Sequence, residues 1–142
     1  MPIAIEMNPA AEVLRALSTG IVDCNRSTIS DLEPVEAEVR FHVIATDDGE
    51  KLIGGVRAAC YWKTLNIELL WLSETARGQG SGRQVIGKAE DFARELGCEN
   101  ALVETTSWQA KPFYEKNGYV LMGTLKGRPK GHASHYVTKS LM

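Results

Sequence analysis

Arg77-Gly78-Gln79-Gly80-Ser81-Gly82-Arg83 stands between an apolar run, residues 67–72, and an amphipathic pattern that continues to residue 96. A strand, a glycine-rich turn and a helix in that order make a pocket for a phosphorylated ligand. Backbone N–H groups at a helix start lack intrahelical partners, and the helix dipole favours an anion there. Glycine lets the main chain approach the ligand, since no Cβ intervenes. Arg77 and Arg83 add positive charge at either end of the turn.

Two familiar phosphate motifs do not fit. A P-loop requires Gly-Lys followed by Ser or Thr, and Gly82 is followed by Arg83 and Gln84. A dinucleotide fingerprint requires Gly-x-Gly-x-x-Gly, and the glycines here are Gly78, Gly80 and Gly82. The spacing Arg-x-x-Gly-x-Gly, carried by Arg77, Gly80 and Gly82, remains, beside the plainer reading of a βα turn without a ligand.

The chain has 142 residues, 44% apolar and 24% charged, which predicts a single globular domain over residues 1–142. No apolar run approaches the roughly 20 residues of a membrane span. Residues 1–6 lack a basic segment followed by a long apolar one, so no secretory signal is expected. Cys24, Cys60 and Cys98 are too few and too far apart for a disulfide framework or a metal site. They are expected as small buried side chains in a cytoplasmic protein. A net charge of −2 without a basic stripe disfavours nucleic acid as a partner.

Residues 3–7 read as a short strand. Asn8 and Pro9 then read as N-cap and first residue of a helix, continued by Ala10, Leu14, Leu17 and Ile21, with a weak point at Gly20. Residues 26–38 are polar and predict a loop. Residues 39–46, 51–62 and 66–72 predict three antiparallel strands, with turns at 47–50 and 63–65. A helix over residues 80–96 presents Val85, Ile86, Ala89, Phe92, Ala93 and Leu96 on one face, with Glu90 and Arg94 paired on the other. Gly97 is its left-handed cap. A strand at 101–105, a short helix at 110–117 and strands at 119–125 and 135–140 complete the order β-α-β-β-β-α-β-α-β-β. Such an order predicts a mixed α/β fold with one parallel step.

Two segments together resemble the GNAT N-acetyltransferases. One runs from Glu68-Leu69-Leu70-Trp71-Leu72 to the Arg77–Gly82 loop. The other, Ala110-Lys111-Pro112-Phe113-Tyr114-Glu115-Lys116-Asn117-Gly118-Tyr119, is similar to the family's Phe-Tyr-x-x-x-Gly-Phe/Tyr signature. The element order is also that of the GNAT acyltransferase fold, so the resemblance spans nearly the whole chain. It implies acetyl-CoA as donor, a primary amine of a small molecule or peptide as acceptor, and direct transfer without a metal; no membrane partner is expected, since no apolar run is long enough to span a bilayer. A homodimer is left open, as is a CoA-binding regulatory module without turnover.

By the same resemblance, the main chain of Leu70, Trp71 and Leu72 pairs with the pantetheine arm, and Arg77, Gly78, Gln79, Gly80, Ser81, Gly82 and Arg83 cradle the diphosphate. Ser107 stands where many members carry an asparagine that touches the cofactor, and Lys116 is assigned to the cofactor as well. Tyr114 matches the tyrosine that acts as general acid to the departing sulfur. A phenol, with a pKa of about 10, is protonated at neutral pH. Glu68 matches a strand carboxylate that deprotonates the amine or positions it. Asn25, Trp62 and Trp108 are the candidates for the acceptor pocket. Trp71 is expected in the core, and His132 and His135 as surface residues.

Overall fold

Leu14, Leu17 and Ile21 share one face of a helix, and Ala11–Thr28 is that helix, α1. The computed structural model describes residues 1–108 and 110–142, which form two compact units, Met1–Ala37 and Glu38–Met142. In the first unit α1 runs through Gly20 without a break. A helix-interior glycine costs about 1 kcal/mol relative to alanine, which one residue in eighteen does not turn into a stop. The N-cap is Ala10, two residues after the predicted Asn8, and no side chain caps it. Residues 3–7 form no strand; a strand exists through its ladder, and none pairs here. The helix extends into the predicted loop, and a single 3₁₀ turn follows at Val35–Ala37. Cys24 on α1 is exposed, not buried as expected.

The second unit is built on a six-stranded sheet. Its strands are β1 (Val39–Thr46), β2 (Leu52–Tyr61), β3 (Thr64–Leu72), β4 (Asn100–Thr106), β5 (Val120–Lys126) and β6 (Ala133–Ser140), in spatial order β1-β2-β3-β4-β6-β5. Neighbours run antiparallel except β3 and β4, which are parallel and joined through α2 (Ser81–Glu95). Strict alternation in β1 puts Phe41, Val43 and Ala45 inward and Arg40, His42 and Ile44 outward. Val56, Ala58 and Cys60 of β2, Leu65 and Ile67 of β3, and Ala101 and Val103 of β4 form the core with Val85, Ile86, Ala89 and Ala93 of α2. Phe92 meets Phe41 edge-on, with ring centroids 4.6 Å apart.

Gly97 ends α2 as predicted, at φ +86°. Cys98 N–H donates to Ala93 C=O at 2.9 Å and Gly97 N–H to Arg94 C=O at 3.0 Å, which satisfies two orphan carbonyls at once. Glu90 does not lie on the solvent face. It is buried, and accepts hydrogen bonds from the Tyr119 hydroxyl and from Lys139 Nζ, both at 2.8 Å, while Arg94 stays at 3.9 Å. Helical spacing shows which face a residue occupies, and a partner on a distant strand then decides whether a charge can be buried there.

Candidate active site

The parallel pairing of β3 with β4 stops early. Thr64 to Ile67 pair with Asn100 to Val103, yet β3 continues to Leu72 and β4 to Thr106. Beyond Ile67 and Val103 the strands part, and a cleft of about 1060 Å³ opens between them. A bulge sits at the branch point. On β2, Arg57 faces Leu69 and Ala58 faces Ile67, so Glu68 is the extra residue. Bulges re-aim side chains. After this one, Leu70 and Leu72 turn inward, while Trp71, expected in the core, is 49% exposed.

The glycine loop closes one end of the cleft. Gly78 and Gly80 have φ of +76° and +78°, which strains a residue with a Cβ, and a Cβ on either would meet nothing within 4 Å. Both therefore present bare main chain to open space. The first intrahelical bond of α2 is from Gln84 N–H to Gly80 C=O at 3.1 Å, so the amides of Ser81, Gly82 and Arg83 make none. Gly82 serves packing instead: a Cβ there would lie 2.9 Å from Phe113 Cε1 and 3.1 Å from Leu72 Cδ1. Two side chains hold the loop's shape. Arg77 Nε donates to Leu72 C=O at 3.1 Å, and Gln79 Nε2 to Thr75 C=O at 2.8 Å.

The other wall comes from β4 and α3 (Lys111–Lys116). Buried Thr105 accepts a hydrogen bond from Ala110 N–H at 3.2 Å and so fixes where α3 begins; Asn117 Nδ2 caps Phe113 C=O at 2.8 Å where it ends. Tyr114 is thereby pressed into the cleft wall, 3% exposed, edge-on to Phe113 and Tyr119. Burial pushes its phenol up to about 12, so it stays protonated and can act as a donor at neutral pH.

Glu68 and Glu104 line the cleft from β3 and β4. Arg40 Nη1 donates to both carboxylate oxygens of Glu68, at 3.2 and 3.4 Å, and Arg57 Nε lies 3.7 Å away. Glu104 pairs with Arg128 Nε at 3.2 Å. Sequence reasoning missed Glu104. Only the parallel register, which sets Ile67 beside Val103, shows that its strand position follows the same fork as Glu68.

Of the residues singled out in the sequence, Glu68, Leu70, Trp71, Leu72, Arg77, Gly78, Gly80, Gly82, Arg83, Trp108, Tyr114 and Lys116 line this one cleft. Gln79 and Ser81 belong to the loop but are not among the lining residues. Ser107 does not line it either. Its hydroxyl lies 3.2 Å from His132 Nδ1 and accepts a bond from Ala133 N–H at 3.3 Å, which ties down the β5–β6 connection. Trp62 sits in the β2–β3 turn, stacked on Tyr61. At about 3.3 Å per residue along β3, that turn is some 25 Å from Leu70. A hairpin turn lies at the opposite end of its strand from the fork, so Trp62 is removed from the site. Asn25 belongs to α1, in the other unit. His132 is exposed and edge-on to Trp108 at 4.9 Å; His135 is half-buried, 3.0 Å from Thr124 Oγ1.

The sequence profile of the acetyltransferase (GNAT) family matches residues 15–119. Blasticidin-S acetyltransferase of Streptomyces morookaense is 34% identical over 137 residues, covering 96% of this chain and 91% of that protein. The crystal structure of an acetyltransferase from Bacillus cereus ATCC 14579 superposes with a TM-score of 0.84 at 30% identity, over 97% of each chain. A protein of Bacillus anthracis str. Ames assigned as a streptothricin acetyltransferase, solved in complex with acetyl coenzyme A, superposes with a TM-score of 0.64 at 25% identity, over 71% of this chain and 62% of that one. A forked parallel strand pair, an open glycine loop at a helix start and a protonated tyrosine on one cleft are thus accompanied by likeness in sequence and in fold. The chain belongs to the acetyltransferase (GNAT) family and is an acetyl-CoA-dependent acetyltransferase.

Proposed function

We propose that this protein moves the acetyl group of acetyl-CoA to a primary amine of a small molecule by direct attack within the β3–β4 fork. The observation that carries this reading is the early end of the β3–β4 ladder, which leaves the edge of β3 from Leu70 to Leu72 without a strand partner on the β4 side, along a cleft that also holds Tyr114 and the glycine loop. Unpaired strand amides and carbonyls can add the pantetheine arm as if it were another strand. The amides of Ser81, Gly82 and Arg83 suit the diphosphate, since they lack helical partners and the dipole of a fifteen-residue helix stands behind them. The bare approach at Gly78 and Gly80 fits the same group.

The acetyl thioester supplies an activated carbonyl. A β3 amide donates to the oxygen on which charge builds; such donors are worth about 3–4 kcal/mol of barrier in acyl transfer. Tyr114 donates its phenolic proton toward the departing sulfur. Glu68 takes up the proton that the amine loses, through water, because both its oxygens already accept from Arg40. Two relatives are named as acetyltransferases of blasticidin-S and of streptothricin. Glu68 and Glu104 on the cleft walls suit an ammonium-bearing acceptor.

Thiol release from acetyl-CoA, followed across a panel of primary amines, tests the reading. Release that rises with a small cationic amine, with the acetylated product seen by mass spectrometry, is expected. Thermal stabilisation by acetyl-CoA without amine-dependent release would instead mark a binding module that does not turn over.

A further inference from the structure

The β4 wall of the fork is covered by a cation of the protein's own. Arg128 belongs to the β5–β6 connection, and its Nε lies 3.2 Å from Glu104 Oε2 on β4. Glu104 lines the cleft and Arg128 does not. The guanidinium thus neutralises, from outside, a carboxylate that the cleft would otherwise offer.

The main chain of that connection is tied down, and the Arg128 side chain is not. The buried Ser134 donates its hydroxyl to Arg128 C=O at 3.2 Å. Gly127 N–H donates to His132 C=O at 2.8 Å, and His132 N–H to Pro129 C=O at 2.9 Å. The Arg128 side chain is 61% exposed, and Glu104 is its one ion-pair partner among the described residues. A pair this exposed is weak, because water competes for both charges. The guanidinium can therefore swing into solvent while the main chain stays in place.

Glu104 also stands in a particular place. Ile67 and Val103 end the ladder, so Glu68 and Glu104 are the next residue on each strand, both turned away from the buried side that Ile67 and Val103 take. Their compensation differs. Glu68 is held by Arg40 at 3.2 Å and has Arg57 at 3.7 Å, cations that stand on β1 and β2. Glu104 has the swinging Arg128. When Arg128 leaves, Glu68 stays compensated and Glu104 becomes a bare carboxylate facing the cleft.

We infer that Arg128 holds the place of a second cationic group of the acceptor, which displaces it from Glu104 while the reacting amine lies toward Glu68. This inference rests on the amine-acceptor reading of the cleft and narrows it to a class, the diamines. A monocation leaves Arg128 where it is and gains nothing from Glu104, so the exchange discriminates between the two. Paired strands lie about 4.8 Å apart and these are parting, which sets the two nitrogens at least roughly 5 Å from one another, the reach of a four- or five-carbon diamine.

Steady-state thiol release with putrescine and cadaverine, each beside the monoamine of equal carbon number (butylamine and pentylamine), tests it. Wild-type kcat/KM is expected to be about tenfold higher for each diamine than for its monoamine, with most of the difference in KM. Glu104→Gln should bring that ratio to within about twofold of one. Arg128→Gln should lower the diamine KM several-fold, because the carboxylate is then bare; an arginine that only shaped the connection would raise KM for every amine when removed. Equal wild-type kcat/KM for diamine and monoamine overturns the inference, as does an unmoved ratio in Glu104→Gln or a raised diamine KM in Arg128→Gln. In each of those cases thiol release with the monoamines leaves the amine-acceptor reading standing. No release with any primary amine would instead overturn that reading, and this inference with it.

Discussion

Ile67 and Val103 are the last partners of the parallel pair β3–β4, and the residue after Ile67 is the bulged Glu68. Ladder, bulge and fork therefore meet within two residues. The strand stops bonding to β4 where it begins to line the cleft, so the edge freed from the ladder is the edge that borders the cleft.

Tyr114→Phe keeps the ring contacts with Phe113 and Tyr119 and removes only the hydroxyl. A positioned proton donor contributes on the order of 10²-fold or more. The expected result is a kcat lowered about 10²-fold with coenzyme A affinity within twofold of wild type. Steady-state kinetics paired with calorimetry measures both, and an unchanged kcat removes Tyr114 from the chemistry.

Glu68→Gln retains the shape of the side chain and removes its charge and its capacity to accept a proton. A loss of about 10²-fold in kcat, with the basic arm of the pH–rate profile altered, is expected from a base. A raised acceptor KM with kcat intact would make Glu68 a positioning residue, held by Arg40 and Arg57 to attract the ammonium.

Gly82→Ala drives a Cβ against Phe113 and Leu72, both of which wall the cleft. Overpacking of this kind costs about 1–3 kcal/mol. Chemical denaturation should show that loss. Gly80→Val has no clash to relieve, but its positive φ costs about 1–2 kcal/mol, and its side chain occupies the space above the loop. Its larger effect should be the loss of coenzyme A binding.

Glu90→Ala leaves Lys139 and the Tyr119 hydroxyl without their shared acceptor. Breaking a buried ion pair from one side costs about 3–5 kcal/mol, and the partly exposed Lys139 places this case near the lower end. Thermal unfolding checks it, and a Tm within one degree of wild type would show that the triad adds no stability.

Alkaline pH should unfold the protein through groups held protonated in its interior. Burial, aided by the neighbouring Cys98, raises the Cys60 thiol from 9.0 to about 12; burial raises Tyr114 from 10.0 to about 12, and burial beside Glu90 raises Tyr119 further. Above about pH 9 the unfolded chain releases protons that the native state retains. Stability from these groups is therefore complete below pH 9 and falls as pH rises toward 12, by up to about 1.4 kcal/mol per pH unit for each. Denaturant titrations from pH 8 to 11 would show the decline, and Cys60→Ala should delay its onset.

Helix periods, glycine caps and the loop's Arg-x-x-Gly-x-Gly spacing are properties of neighbouring residues, so the sequence alone carries them. That is why α2, its Gly97 cap, the β1–β3 meander and the position of Tyr114 on α3 agree with expectation. Residues 3–7 disagree because a strand needs a partner that local pattern does not reveal. Trp71 is exposed instead of lying in the core because a one-residue bulge at Glu68 reverses strand alternation, and a bulge is a property of two strands. Trp62, Glu90 and Glu104 were misjudged or overlooked for a related reason. The end of the sheet a turn occupies, the partner that lets a carboxylate be buried, and the wall that faces the fork are all set by contacts between residues distant in the chain. Local chemistry writes the loop and the helix; the register between β3 and β4 makes the cleft.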